Sequence, residues 1–148
     1  MGERKFRNRG KVMKKKIGKF KKIKSERKKL DEANLKLWSL CVRARDKTCR
    51  NCNSNYHLQG HHIVTRQYKL SRYNIDNGLT LCRRCHFPEH VNPERFRDMI
   101  LNIIGEEKYL ELKKKYMILY KWNITELREI KTGLKVKLKQ LQNDFGVE

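Results

Sequence analysis

The sequence predicts an α+β chain: a short ββα hairpin stapled by cysteines and flanked by α-helices, with a basic N-terminal arm and a helical C-terminal region. Three observations predict it. Two CxxC pairs, Cys49 with Cys52 and Cys82 with Cys85, are separated by 29 residues and bracket two strand-like segments. Apolar residues recur at helical spacing on both sides of that window. The first 30 residues hold 15 Lys or Arg against two acids, Glu3 and Glu26, a net charge of +13.

That opening run defines the first segment, residues 1–30. Its apolar residues are sparse, and like-charge repulsion favours a flexible or partly helical arm that orders on a polyanion. The whole chain carries 37 Lys and Arg against 16 Asp and Glu, for a formal charge of +21 over 148 residues. Each basic group that meets a phosphate releases a condensed counterion, so the expected partner is nucleic acid, and DNA in particular. No stretch reaches the roughly 18 apolar residues of a membrane span, and the N-terminus lacks a signal-peptide core. A reducing cytoplasm follows as the expected location, with no membrane partner.

Leu30, Ala33, Leu37, Leu40 and Cys41 share one helical face, so a helix is expected over about 30–44, leading into the cysteine-rich middle. Leu58–Val64 and Leu79–Leu81 are the strand candidates, joined by a polar loop through Arg66, Lys69, Arg72 and Asn74. After Pro93 the pattern is helical again, breaks at Gly105, and resumes over about 106–122. Asn123 reads as an N-cap with Glu126 three residues on, close to a capping box. Beyond it Leu127, Ile130, Leu134, Leu138, Leu141 and Phe145 form one stripe, suited to packing against the module or to homodimerisation through this C-terminal helix. The divisions are thus 1–30, 31–91 and 92–148.

In a reducing compartment, paired cysteines read as metal ligands before disulfides. Four thiolates from Cys49, Cys52, Cys82 and Cys85 suit a tetrahedral, closed, structural zinc. A redox CxxC would explain only one pair. Cys41, in phase with Leu37, reads as a buried structural thiol.

Between the knuckles lie Gly60-His61-His62-Ile63, then Asn77-Gly78-Leu79-Thr80-Leu81-Cys82, then Cys85-His86-Phe87-Pro88-Glu89-His90. Four of the chain's five histidines fall there. This segment, residues 41–91, resembles the HNH (His-Me finger, ββα-metal) endonuclease family, phage-type, with His62, Asn77 and His86 in the three eponymous positions. The resemblance implies that His62 is the general base, that His61 and His86 ligate a catalytic divalent metal, and that Asn77 holds the base's loop. His90, one helical turn beyond His86, is implied as a third ligand if the helix starts close to Cys85, because Pro88 is tolerated only in a first turn. With three histidines the site suits Mn, Ni or Zn as well as Mg; with fewer, Mg becomes more favoured. Adjacent strand residues point to opposite sides, so His61 and His62 are expected at the end of the first strand.

A neutral imidazole can take a proton from water at physiological pH, and a divalent cation can clamp the scissile phosphate. Arg66, Lys69, Arg72, Arg83 and Arg84 surround this window as phosphate-binding candidates, Arg66 foremost. The expectation is a metal-dependent DNA endonuclease, phage or mobile-element encoded and acting in a bacterial host, that nicks or cuts both strands. A non-catalytic zinc-ribbon DNA-binding protein would account for the cysteines and the charge, but not for the paired histidines, Asn77 and CxxCH together. The order of helix, CxxC, histidine motif and Gly-containing helical tail is also similar to phage recombination nucleases of the NinG/Rap group, which implies action on branched DNA.

Overall fold

The computed structural model describes residues 25–144, so the expected basic arm lies outside the described residues up to 24, as does Phe145 of the C-terminal stripe. Helix α1 (Glu26–Asp46) starts four residues before its apolar periodicity does. Ser25 caps it, its side chain accepting from the Lys28 N–H. The two strands, β1 (Leu58–His62) and β2 (Gly78–Cys82), pair antiparallel with Leu58 opposite Cys82 and His62 opposite Gly78. Between them runs a chain of turns ending in a 3-10 turn at Ile75–Asn77.

The helix expected to follow the second strand, starting close to Cys85, is broken. Helix α2 (Arg83–His86) is one turn long, and Pro88 opens a second short helix, α3 (Pro88–Val91), at its first position. Proline lacks the N–H a continuous helix would need, and its fixed φ suits a fresh start. Then come α4 (Pro93–Ile104), α5 (Glu106–Tyr116) and α6 (Ile124–Asn143). Gly105 separates α4 from α5 at φ 82, a left-handed conformation that glycine adopts without strain. Helix α5 ends six residues short of the expected Trp122. The capping box at the start of α6 is formed: the Glu126 N–H donates to Asn123 Oδ1 at 2.9 Å, and the Asn123 N–H donates to Glu126 Oε2 at 2.6 Å.

Three apolar clusters hold these elements. In the first, Leu30, Trp38, Cys41 and Val42 of α1 pack on Leu127 and Leu134 of α6, with Ile130, Leu138 and Leu141 alongside. The described part of the C-terminal stripe therefore packs against α1 of the same chain. Two polar contacts tie the pair, Asn34 Nδ2 to the Leu127 carbonyl at 2.9 Å and the Cys41 thiol to the Leu134 carbonyl at 3.4 Å. In the second cluster, Leu79 and Leu81 of β2 and Cys49, Cys82 and Cys85 pack on Phe96 and Ile100 of α4. The third joins Val64 of the inter-strand loop to Leu112 and Tyr116 of α5. No described helix is long and apolar enough to cross a membrane.

Helix α1 lies directly on the hairpin because two strand residues lack side chains. A Cβ on Gly78 would stand 2.3 Å from Val42 Cγ2 and 3.0 Å from the Ile75 carbonyl oxygen, and one on Gly60 would stand 3.0 Å from Ser39 Oγ. Arg45 and Asp46, at the helix end, fasten the start of β2: Arg45 donates to the carbonyls of Ile75 and Gly78, and Asp46 accepts from the Thr80 N–H. Gly78→Ala is expected to lower stability by about 1–3 kcal/mol, the usual cost of overpacking a fitted contact. A fall in the urea midpoint with little change in slope would show this, and an unchanged midpoint would refute the close-approach argument.

Candidate metal centre and catalytic site

The four thiols come together first. Their sulfur atoms all lie within 4.8 Å of one another, and Cys52 Sγ stands 3.6 Å from Cys82 Sγ. Tetrahedral zinc with Zn–S bonds of about 2.3 Å spaces its sulfurs at about 3.8 Å, so the cluster fits that ion. Its acid-base chemistry points the same way. Burial works to raise the Cys49 thiol, but backbone N–H groups of Cys82, Cys52 and Asn51 outweigh it and bring the thiol down to about 7. Cys85 is pushed up to about 12, chiefly by burial, with the neighbouring sulfurs adding to the rise against the hydrogen bond from Asn51. Four crowded thiols resist ionising together, and a doubly charged cation removes that conflict. The chain can therefore hold a structural zinc at Cys49, Cys52, Cys82 and Cys85.

His61 and His62 end β1 and face opposite sides, as strand geometry requires. His61 turns toward α2 and α4, with its ring edge-on to Phe96 at 4.9 Å. Its Nδ1 is 3.2 Å from His86 Nε2, and Glu89 Oε2 is 3.0 Å from that same His86 nitrogen and 3.6 Å from His61 Nδ1. These three donor atoms form the second group able to hold a metal ion. Burial, then the neighbouring histidines, push His61 down to about 3, which keeps its nitrogen lone pair free at neutral pH. Gln59 orients His86: its Oε1, which can only accept, is 2.7 Å from His86 Nδ1, so Nε2 is the nitrogen directed at the group. Two imidazole nitrogens and a carboxylate oxygen, all convergent, suit a divalent ion such as Mn, Ni, Zn or Mg.

Glu89 is the residue that sequence reasoning missed, and it stands in the donor group where His90 does not. The helix break at Phe87 restarts the turn at Pro88, which swings position 89 toward His86 and leaves His90 outside the donor group. His90 still lines the same cavity. The only sequence signal for Glu89 was its place three residues after His86, a spacing that shares a helix face.

On the other side of the strand, His62 stacks on Trp38 of α1, centroids 3.6 Å apart and planes 11° apart. Its Nε2 lies 2.9 Å from the Arg72 carbonyl, an obligate acceptor, so Nε2 bears the hydrogen and Nδ1 is the basic nitrogen. Burial pushes His62 down to about 4; the Arg72 carbonyl opposes this, and the charges of Arg66 and Arg72 reinforce it. The ring is therefore neutral at physiological pH. Both histidines border one cavity of about 550 Å³, closed by Arg66 from the inter-strand loop, Arg97 from α4 and Tyr109 from α5.

Asn77 is fully buried and pins the inter-strand loop from three directions. Its Oδ1 accepts from the Val64 N–H at 2.7 Å, and its Nδ2 donates to the carbonyls of Val64 at 2.8 Å and Ser71 at 3.2 Å. The next residue along that loop, Arg72, supplies the carbonyl that holds His62. Its guanidinium is engaged elsewhere: Nε donates to Asp31 Oδ1 at 2.7 Å, a second N–H to Asp31 Oδ2, and Nη1 to the Arg66 carbonyl at 3.1 Å. Tyr73 donates its hydroxyl to the same Asp31 carboxylate. So Arg72, one of the phosphate candidates, braces the loop, and Asp31 of α1 is the anchor. Of the other phosphate candidates, Arg66 borders the histidine cavity, Lys69 does not, and Arg83 and Arg84 line a separate pocket beside the cysteines.

Burial alone would raise the Asp31 carboxyl, but hydrogen bonds from Arg72 and Tyr73 and the Arg72 charge outweigh it and hold the group below its usual range. A carboxylate depressed in the folded state adds stability above its unfolded value of about 3.9 and loses it as pH falls through the folded value. Asp31→Asn is therefore expected to be less stable than the parent at pH 7, by about 1–3 kcal/mol. The difference should shrink below about pH 4. Urea unfolding at a series of pH values measures this, and a pH-independent difference would refute the assignment.

A family model described as bacteriophage lambda NinG protein matches residues 2–144 of the chain. Comparison with curated proteins and with solved structures finds no match.

Proposed function

The chain belongs to the bacteriophage lambda NinG family, and on that premise we propose that it is a metal-dependent endonuclease of the HNH type that hydrolyses DNA phosphodiester bonds. The observation that carries the reading is the convergence of His61, His86 and Glu89 in one cavity with a neutral His62 whose proton is already fixed on the far nitrogen. In this reading the hairpin, α2 and their cysteine-held zinc form a ββα-metal unit.

A divalent ion bound by His61, His86 and Glu89 would supply charge to the scissile phosphate and to the departing 3′ oxygen. The rest is the work of the chain's own residues. His62 Nδ1 takes a proton from water, the resulting hydroxide attacks phosphorus, the P–O3′ bond breaks, and the departing O3′ takes a proton from solvent water, leaving 5′-phosphate and 3′-hydroxyl ends while His62 returns its proton to solvent. Trp38 and the Arg72 carbonyl hold the imidazole plane during that transfer, and Asn77 and Asp31 hold the loop that carries Arg72. Arg66 and Arg97 meet the flanking phosphates, consistent with a chain of net charge +21. Nicking, double-strand cutting and cleavage at branch points are all compatible with one such site.

The test is conversion of supercoiled plasmid at low salt, with Mg, Mn or Ni added to protein that retains its zinc. Open-circular or linear product in a metal-dependent manner is expected. Glu89→Gln should raise the metal concentration needed for half-maximal cleavage by about 10-fold or more, since even losing a group that only supports a metal ligand costs about 10–100-fold. Tight binding with no cleavage of plasmid, single-stranded or branched DNA under any metal would overturn the catalytic reading in favour of a zinc-stabilised DNA-binding protein.

A further inference from the structure

A second pocket, of about 500 Å³, opens beside the cysteine cluster and shares no residue with the histidine cavity. Its volume falls within the range of about 300–1,000 Å³ typical of small-ligand sites. Tyr56 and Phe87 line it, and both rings are largely in solvent, at 74% and 62% exposure. Arg83 and Arg84, both exposed, line it with His57 and Ser54, and its inner wall is formed by Cys52 and Cys82 of the thiol cluster. Two large exposed aromatics on one apolar hollow are unusual in a chain this polar, because nothing in folding favours leaving them there.

We propose that this hollow is a stacking site for an unpaired nucleobase of single-stranded DNA, with Tyr56 and Phe87 taking the base faces and Arg83 and Arg84 the adjoining phosphates. The inference rests on the reading of the chain as a DNA-acting protein and adds where a frayed or displaced strand is held. Charge decides between occupants: a rim of arginines on a chain of net charge +21 repels basic partners and draws a polyanion, while the aromatic faces match what a duplex hides and a single strand exposes. The polar groups there are partly spent, since Ser54 Oγ accepts from the Tyr56 N–H and the His57 carbonyl accepts from the Arg83 N–H. Every base has a π-face, so stacking on Tyr56 and Phe87 is expected to show little base preference.

Position supports it as well. Phe87 follows His86 directly in the chain, with Cα atoms about 3.8 Å apart, so consecutive residues belong to the two pockets. The site would favour DNA in which a base is already unpaired.

The test uses full-length zinc-loaded protein without added catalytic metal, so that cleavage does not enter. Binding is measured to a 2-aminopurine-labelled single strand, to a duplex with a single-stranded flap, and to a plain duplex. Wild type should quench 2-aminopurine at unpaired positions. The double variant Tyr56→Ala, Phe87→Ala should lose the quench and bind the single strand and flap about 5–100-fold more weakly, the scale of one or two lost base–aromatic stacks. Its duplex affinity should change less than twofold, and Tyr56→Phe should bind like wild type. Zinc content and circular dichroism equal to wild type establish that the variant is folded. Equal weakening on duplex and single strand, or no weakening on either, overturns the proposal. Loss of single-strand preference in a protein that cleaves nothing would sink the nuclease reading and leave the stacking site standing. Cleavage with unaltered single-strand preference in the double variant would do the reverse.

Discussion

Cys49→Ser is expected to unfold the hairpin rather than loosen it. Structural zinc in small sites contributes about 10–16 kcal/mol of apparent binding free energy, comparable to the whole stability of a domain at about 5–15 kcal/mol. Here the ligands are also core residues: Cys49, Cys82 and Cys85 are buried in the cluster that packs Leu79 and Leu81 on Phe96 and Ile100. Withdrawing the ion leaves crowded thiols at the base of a two-stranded sheet, and a lone hairpin is marginal in water. The helical pair α1 and α6 has its own cluster and its own polar ties, so it should outlast the hairpin. Zinc analysis is expected to find less than one ion per chain in the variant. Amide exchange should show β1, β2 and α4 losing protection while α1 and α6 keep theirs. A variant with full protection across β2 would mean that the cysteines are held by packing alone.

The stripe on α6 and the helix in 30–44 were legible because periodicity is a local property: Leu127, Leu134, Leu30 and Cys41 are buried as their spacing predicts, although the buried face of α1 runs through Asn34, Trp38 and Val42 rather than Ala33, Leu37 and Leu40. The capping box was legible for the same reason. The donor cysteines and histidines were legible as residue types at informative spacings, and the structure brings His61 to His86 and all four cysteines to one another. What escaped were contacts set by tertiary packing. Asp31 and Arg72 are 41 residues apart, and no spacing rule links them, so Arg72 read as one more free cation. Glu89 was masked by His90, since both sit about one turn from His86, and the choice depended on how the helix restarts at Pro88. Arg97 and Tyr109 reach the cavity from α4 and α5, elements that read from sequence only as apolar stripes. The early end of α5 has a similar origin: Met117 to Trp122 continue an acceptable composition, but Trp122 is drawn off to donate to the Lys69 carbonyl.

His62→Ala is expected to reduce cleavage by about 10²–10⁴-fold, the range over which a positioned general base accelerates proton transfer. The substitution also removes a ring stacked at 3.6 Å on Trp38, so some stability is lost with it. That loss, about 0.5–1.5 kcal/mol for an aromatic pair beyond its buried area, is too small to unfold the chain. Chemistry and packing are separated by a second variant, His62→Gln. Its amide N–H can still donate to the Arg72 carbonyl, as His62 Nε2 does at 2.9 Å, but it offers no nitrogen that accepts a proton at neutral pH. If His62 is the base, His62→Gln is as inactive as His62→Ala while melting closer to the parent, and both keep zinc and bind DNA with parental affinity. If instead the histidine matters only for its contacts, His62→Gln recovers cleavage to within tenfold of the parent.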